Sequence, residues 1–383
     1  MIGEFMPNRP TNQFAIANST EKSWFDAVDD CCSQISSNMA SESLGFIYSS
    51  GYSKEQVGLI CKRLADQITT GGWIGATGVG ILRNSQEHYD EAALNVMIGD
   101  FPENSFRIFS EVVTDLKEFY QTHCAWFQSN LQNFAVVHAD PATSGLLELL
   151  PSLSDMLGGG YLVGALSSSH EKPTQIVNGR TSDNVSGALF SESVMIHAGL
   201  TQGCSPIGPH REITKVDKNI IVSIDGRPAF EVLMEDIGRE FVEDVSLVSD
   251  RIFAALPVVG SDTRDYVVRN IVGIDTDSNL IAIGDRVGIG DPIMFCQRNQ
   301  FTAKDDLIRM LRDLKKRCGH SIPRGGIYFS CLGRGRHTFD DDSMEMKLIK
   351  QEFGDFPLVG FFANGEISHR RLYTYTGVMT LFM

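Results

Sequence analysis

The pattern of apolar and polar positions along the chain repeats itself. Leu44 to Gly51, LGFIYSSG, is apolar and β-prone. The stretch that follows, SKEQVGLICKRLADQITTGG, opens on Ser53 with Gln56 three residues on, the signature of a capping box. Val57, Ile60, Cys61, Leu64 and Ile68 then fall on one stripe at helical spacing, and Gly71 and Gly72 stop the helix. WIGATGVG and, later, ALNVMIGDF read as two further strands. The same order recurs from Phe134: FAVVHAD, a leucine-rich helical segment that Pro151 is expected to break and Gly158 to Gly160 to end, then YLVGALSSS and SVMIHAGL. It recurs again from Gly326: GIYFSCLG, a helix near DDSMEMKLIKQEFG with acidic residues at its start, then PLVGFFANGEI and TGVMTLFM.

Strands alternating with amphipathic helices predict an α/β protein. The expected architecture is two related α/β halves with mixed sheets, helices on the outer faces, and sheets packed face to face where the inner faces are also apolar. The echoes predict one topology for residues 44–101, 134–203 and 326–383. They also place the loops at Thr77, Ser167 and Asn364 near one another. Between the second and third copies the pattern changes. DGRPAFEVLMEDIGREF reads as a turn and a helix with Pro228 in its first turn. RNIVGIDTDSNLIAIGDRVGIGDPIMFCQRN reads as consecutive β-hairpins, and AKDDLIRMLRDLKKRCGH as a helix. A boundary near residue 220 gives a flexible leader over 1–20, one α/β domain over 21–220 and a second over 221–383.

Composition narrows the classes. The 383 residues are 42% hydrophobic and 21% charged, as in a soluble protein with a full core. A net charge of −15 repels phosphate backbones and anionic bilayers, so neither nucleic acid nor membrane is an expected partner. No apolar run approaches the ~20 residues of a membrane span. The start, MIGEFMPNRPTNQ, lacks the basic and apolar regions of a secretion signal, so the expected location is the cytoplasm. Eight cysteines are scattered with no C-x-x-C pair and read as buried free thiols.

Three stretches carry candidate chemistry. GCSPIGPHREIT, Gly203 to Thr214, holds Cys204 and His210 six residues apart across two prolines. It reads as a turn joining two domains, as a ligand-contact loop, or as a Cys-His pair. GATGVG, Gly75 to Gly80, lacks the Lys-Ser/Thr of a P-loop and reads as a tight turn or a close backbone approach to a ligand. CLGRGRHTFDDD follows a strand, where open α/β sheets place their binding crevice. There Arg334 and Arg336 suit a carboxylate, and Glu366, after the next strand, suits an ammonium. A solvated pairing of the arginines with Asp340 to Asp342 is the plain alternative.

GLTQGCSPIGPHREIT, DGRPAFEVL, FSCLGRG, PLVGFFANGEI and TYTGVMTLF, in this order and spacing, resemble the FIST family (F-box and intracellular signal transduction). The resemblance covers nearly the whole chain. It implies an intracellular sensory protein that binds a small ligand, an amino acid or another small anion, and signals through a separate partner. The expected ligand-binding set is Arg334, Arg336, Glu366, Asn364, Cys331, Cys204 and His210. Because some members bind haem and sense nitric oxide, haem is a cofactor to test, with His210 and His138 as its expected ligands. An enzyme with Cys204 or Cys331 as nucleophile is the alternative from another class.

Overall fold

The computed structural model describes residues 13–35, 42–110, 116–129, 131–238, 248, 251–258, 266–319, 321–339 and 341–383. Three units of one topology account for most of them. The first runs β1 (Phe14–Ser19), α1 (Trp24–Gln34), β2 (Ser43–Ser50), α2 (Lys54–Gln67), β3 (Gly72–Thr77), a hairpin of β4 (Gly80–Arg83) and β5 (Gln86–Tyr89), and β6 (Ala93–Asp100). The second repeats that order: β7 (Phe106–Phe109), α3 (Leu116–Ser129), β8 (Gln132–Ala139), α4 (Leu146–Met156), β9 (Tyr161–Leu166), a hairpin of β10 (Gln175–Val177) and β11 (Arg180–Ser182), and β12 (Val185–Ser191).

The third unit opens with β13 (Ile196–Gln202) and is then interrupted. The insertion comprises β14 (Cys204–Asp217), β15 (Ile220–Ile224), β16 (Arg227–Pro228), α5 (Ala229–Ile237), β17 (Ile252–Pro257), β18 (Tyr266–Asp275), β19 (Leu280–Ile283) and β20 (Pro292–Arg298). The unit resumes with α6 (Gln300–Cys318), β21 (Gly325–Cys331), α7 (Met344–Phe353), β22 (Leu358–Ala363), a hairpin of β23 (Glu366–Ser368) and β24 (Arg371–Tyr373), and β25 (Thr376–Phe382).

In every unit the strands flanking the second helix run parallel, and the last strand runs antiparallel to the first of that pair. The shared topology that the sequence predicts is therefore present, with one correction: the closing strand of the second unit is β12, and SVMIHAGL, expected in that place, falls on β13 and opens the third unit. Its partners are less local than the pattern suggests, because each hairpin joins a sheet of another unit. β10–β11 extends β3, β23–β24 extends β9, and β4–β5 extends β22. The result is three six-stranded sheets of identical order, plus a seven-stranded sheet in the insertion.

Period-2 alternation explains the layers. Along β2, Phe46 and Tyr48 point into a core shared by the three sheets, while Ile47 faces outward beneath α1 and α2. α3 and α4 cover the second sheet in the same way, and α6 and α7 the third. The Ser53–Gln56 capping box opens α2 as expected. One small residue recurs where each parallel pair crosses. A Cβ on Gly75, Gly164 or Gly360 would lie 1.8, 1.8 and 1.6 Å from the carbonyl oxygens of Ile47, Val137 and Tyr328. No other residue type fits there. In GATGVG, a Cβ on Gly78 would lie 2.5 Å from Gly80 O as the chain crosses from the first sheet to the third.

The structure differs from the sequence reading at several places. Pro151 sits inside α4 and does not break it. One lost hydrogen bond is offset by burial of Leu146, Leu149, Leu150 and Leu153. GCSPIGPHREIT is no interdomain turn but makes up most of the long strand β14, irregular between Ile207 and Arg211, where Gly208 takes a φ of +81°. β18 and β19 form a hairpin, whereas β20 pairs with β17 and β14. Of the leader expected over residues 1–20, Phe14–Ser19 is a strand paired with β6. Strands from both sides of residue 220 share three of the four sheets. Six of the eight cysteines are buried and all are free thiols. Among the described residues no helix is long and apolar enough to cross a membrane.

The crossing glycines make a direct test. Gly164→Ala is expected to lower stability by more than about 3 kcal/mol, because backbone must move to admit the methyl group. Gly273→Ala, whose Cβ would meet only Ala282 at an ordinary 3.6 Å, should be neutral or gain up to about 1 kcal/mol. Urea unfolding of both variants checks this, and equal effects would remove the close approach as the constraint.

Candidate functional site

The parallel strands β21 and β22 end side by side, with Cys331 opposite Ala363. The loop after β21 turns Arg334 inward, and its side chain is fully buried. Its Nε and Nη2 donate to Glu345 Oε1 at 2.9 and 2.7 Å. Glu345, in the first turn of α7 and equally buried, also accepts from Tyr328 Oη at 2.8 Å, Ser330 Oγ at 2.7 Å and the Gly335 amide at 3.2 Å. Such saturation is what a buried charge pair requires. Arg334, expected to grip a ligand carboxylate, already grips one from the protein. Its remaining Nη1 has no hydrogen-bond partner among the described residues and lies along Gly203, where a Cβ would approach it to 3.1 Å.

Glu366, at the start of β23, is fully buried as well. Its Oε2 accepts from Thr376 Oγ1 at 2.7 Å and from the Thr376 amide at 3.3 Å, while Oε1 is without a partner among the described residues. Burial pushes this carboxyl well above the usual range, against the pull of the Thr376 donors and the Arg334 charge. Cys331 lies beside it. Burial, and then the neighbouring Glu366 charge, push the thiol up, which makes it a poor nucleophile.

Tyr375 packs against the cluster that holds Cys204 and Cys296, and burial, followed by the neighbouring Cys331, raises its hydroxyl. The structure thus gathers Arg334, Glu366, Cys331 and Cys204 around the end of β21. It leaves His210 out. That residue is exposed in the irregular part of β14, six residues along the chain from Cys204. Arg336 is also turned away. It pairs with Asp90, stacks at 4.3 Å over the Tyr89 ring, and so holds the β4–β5 hairpin. Asp340 lies outside the described residues.

Asn364 has a joining role. Its amide donates to Leu166 O at 3.2 Å and its Nδ2 to Ser167 O at 3.0 Å, while the Ser168 amide donates to Thr77 O at 3.0 Å. The loops at Thr77, Ser167 and Asn364 therefore meet, as the repeat predicts. Tyr48, His138 and Phe329 occupy equivalent positions of β2, β8 and β21, and their rings form a triangle with centroids 5.6, 5.9 and 5.7 Å apart. His138 Nε2 lies 3.1 Å from Tyr48 Oη. Burial pulls the imidazole down to about 3, so the ring is neutral and shares a hydrogen bond with the tyrosine hydroxyl. Haem needs an imidazole nitrogen open to a wide apolar cleft. His138 is enclosed by Tyr48, Phe329 and Phe361, and His210 stands on the surface, so these two residues do not fit that group.

A cleft of about 660 Å³ opens elsewhere, between the insertion and the body formed by the three units. α4 and the β23–β24 hairpin form one wall, and β17, β18 and the loop from β19 to β20 form the other. Its lining carries four arginines, Arg269, Arg286, Arg370 and Arg371, against two aspartates, Asp285 and Asp291. Sequence reasoning missed this site. The available signal was Arg370-Arg371 placed just beyond GEI, which by itself reads as ordinary surface.

Comparison with known proteins supplies a family. The FIST N domain matches residues 43–227 and the FIST C domain residues 229–369. An uncharacterized protein of Mycobacterium tuberculosis is 31% identical over 195 residues, 48% of this chain and 50% of that protein. An uncharacterized protein of Mycobacterium bovis is 30% identical over 195 residues with the same coverage. The chain spans about half the length of the curated relatives it matches.

The two buried glutamates should respond oppositely to loss of charge. Glu345→Gln leaves Arg334 uncompensated and is expected to cost about 3–5 kcal/mol. Glu366→Gln should cost little at pH 4.5 and gain relative to wild type as pH rises, because a raised folded pKa penalises the ionised form above the unfolded value. Unfolding at pH 4.5 and 7.5 checks both. His138 acts with the other sign. With a folded value of about 3 against an ordinary 6.5, its contribution is lost as pH falls below 6.5, by about 2 kcal/mol at pH 5. His138→Phe should flatten the fall in stability between pH 7.5 and 5 by that amount, and an unchanged slope would contradict a buried neutral imidazole.

Proposed function

The chain belongs to the FIST family, whose domains are sensory and signal-transduction domains, and from that premise we propose that it senses a small ligand bound between the insertion and the body. The observation that carries this reading is the cleft. Its volume of about 660 Å³ falls within the range of small-molecule sites, roughly 300–1,000 Å³. Its two walls belong to parts of the chain that are joined narrowly. The insertion leaves and re-enters the body through adjacent antiparallel strands, Cys204 opposite Arg298. A pair of neighbouring strands is a hinge geometry, and a ligand touching both walls favours the closed arrangement by its differential affinity. The signal then passes to a separate partner protein through the altered placement of the insertion.

Arg334 and Glu366 serve in this reading as the buried anchor of the hairpin wall, with Asn364 locking the loops behind it. The enzyme reading is weaker, since Cys331 is buried with a raised thiol and, among the described residues, no imidazole is hydrogen-bonded to Cys204. Thermal unfolding against a panel of amino acids, organic acids and nucleotides tests the proposal, run in parallel on Leu372→Trp, which fills the cleft. At least one compound should raise the wild-type midpoint by several degrees, as ligand linkage requires, and lose that effect in the variant. Compounds that shift both proteins equally would move the ligand elsewhere, and a panel without any hit would count against small-ligand sensing.

A further inference from the structure

The lining of the cleft specifies a class of ligand, and we infer that it takes an amphipathic anion: one carboxylate or similar group on an apolar chain. This rests on the cleft being the ligand site. The chain as a whole carries a net charge of −15, yet this lining holds four arginines and only two aspartates. Two of the four are occupied. Arg269 donates to Asp285 at 2.7 Å and to Val268 O at 3.0 Å, and Arg370 pairs with Asp155 at 2.7 Å. The guanidinium groups of Arg286 and Arg371 have neither an ion pair nor a hydrogen bond to any described residue. They stand on opposite walls, Arg286 between β19 and β20 and Arg371 on β24. A single anion between them would satisfy both with charge-assisted hydrogen bonds and draw the walls together.

The rest of the lining is apolar. Leu147, Pro151, Leu256, Val267 and Leu372 contribute to it, and Leu147 is 50% exposed. Such a surface favours covering by a hydrocarbon chain. An amino acid fits less well, because its ammonium needs a free carboxylate. Asp285 is bound to Arg269, which leaves Asp291 alone to meet the ammonium, and that carboxylate already accepts from the Gly288 amide at 2.6 Å.

Calorimetric titration with decanoate tests the assignment, with decanol, leucine and inorganic phosphate as comparisons. Decanoate should bind, and decanol and phosphate should each bind at least tenfold more weakly, since each lacks half of the recognised chemistry. Arg286→Ala and Arg371→Ala should each weaken decanoate about tenfold, while both variants keep the wild-type melting temperature without ligand. Decanol binding as tightly as decanoate, or unchanged decanoate affinity in both arginine variants, would overturn the anion assignment. Leucine binding in preference to decanoate would also overturn it. Failure of decanoate together with another compound whose effect is lost in Leu372→Trp would remove this ligand class and keep the cleft as the sensing site.

Discussion

Each parallel strand pair in this protein ends in an edge that only another unit covers. β3, β9 and β22 each present a row of amide and carbonyl groups on the side away from their parallel partners, within sheets whose faces are buried. Buried backbone groups must be paired, and an uncovered edge invites pairing with another chain. Here the cover is a hairpin taken from a different unit in each case. The exchange is cyclic: the first unit completes the third sheet, the third completes the second, and the second completes the first. No unit can therefore close its own sheet. The regions matched as FIST N and FIST C share sheets for the same reason, since residues 366–373 complete the second sheet and residues 80–89 the third.

Much of this was legible in the sequence, and the limits have physical causes. The three copies could be found because apolar stripes of helical period separate apolar runs of strand period, and because a small residue recurs at one point of each. Gly75, Gly164 and Gly360 mark the crossing of each parallel pair, and the contacts they permit show why the recurrence is kept. The exchange was not legible. A three-residue strand such as Gln175–Val177 states that it will pair but not with what, since register and partner are set by tertiary packing.

The candidate site was read in part for a related reason. Arg334, Glu366 and Cys331 were found because they follow strands of the third unit, and the fold does gather them. Their roles depend on Glu345, eleven residues beyond Arg334 and on a different element, whose five hydrogen bonds convert an expected ligand-binding arginine into half of an internal ion pair. Burial of a charge depends on its partner, and spacing along the chain does not report it. His138 shows the same limit from the other side. As a residue ending a strand it suggested a metal ligand. In the fold it meets the equivalent residues of the other two units and becomes part of the central packing.

The third unit differs from the others by one addition, and the addition forms one wall of the cleft of about 660 Å³. In the first two units the opening strand leads directly to a helix, as β1 to α1 and β7 to α3. In the third, residues 204–298 intervene between β13 and α6. They build a separate sheet with its own core around Ile213, Val232, Ile271 and Phe295. That sheet leans on the body where Thr374 Oγ1 donates to Val268 O at 2.8 Å and Tyr375 Oη to Asn270 Oδ1 at 3.2 Å. Both residues lie between β24, which lines the cleft, and Thr376, which holds Glu366. One short segment thus touches the cleft wall, the insertion and the buried charge cluster. A displacement of β24 by a bound ligand would have to be absorbed either by the insertion, which is tethered at two adjacent strands, or by a fully buried glutamate with few alternative partners. On the proposed reading the insertion would be the softer of the two, and motion would be directed outward with the exchanged sheets left intact.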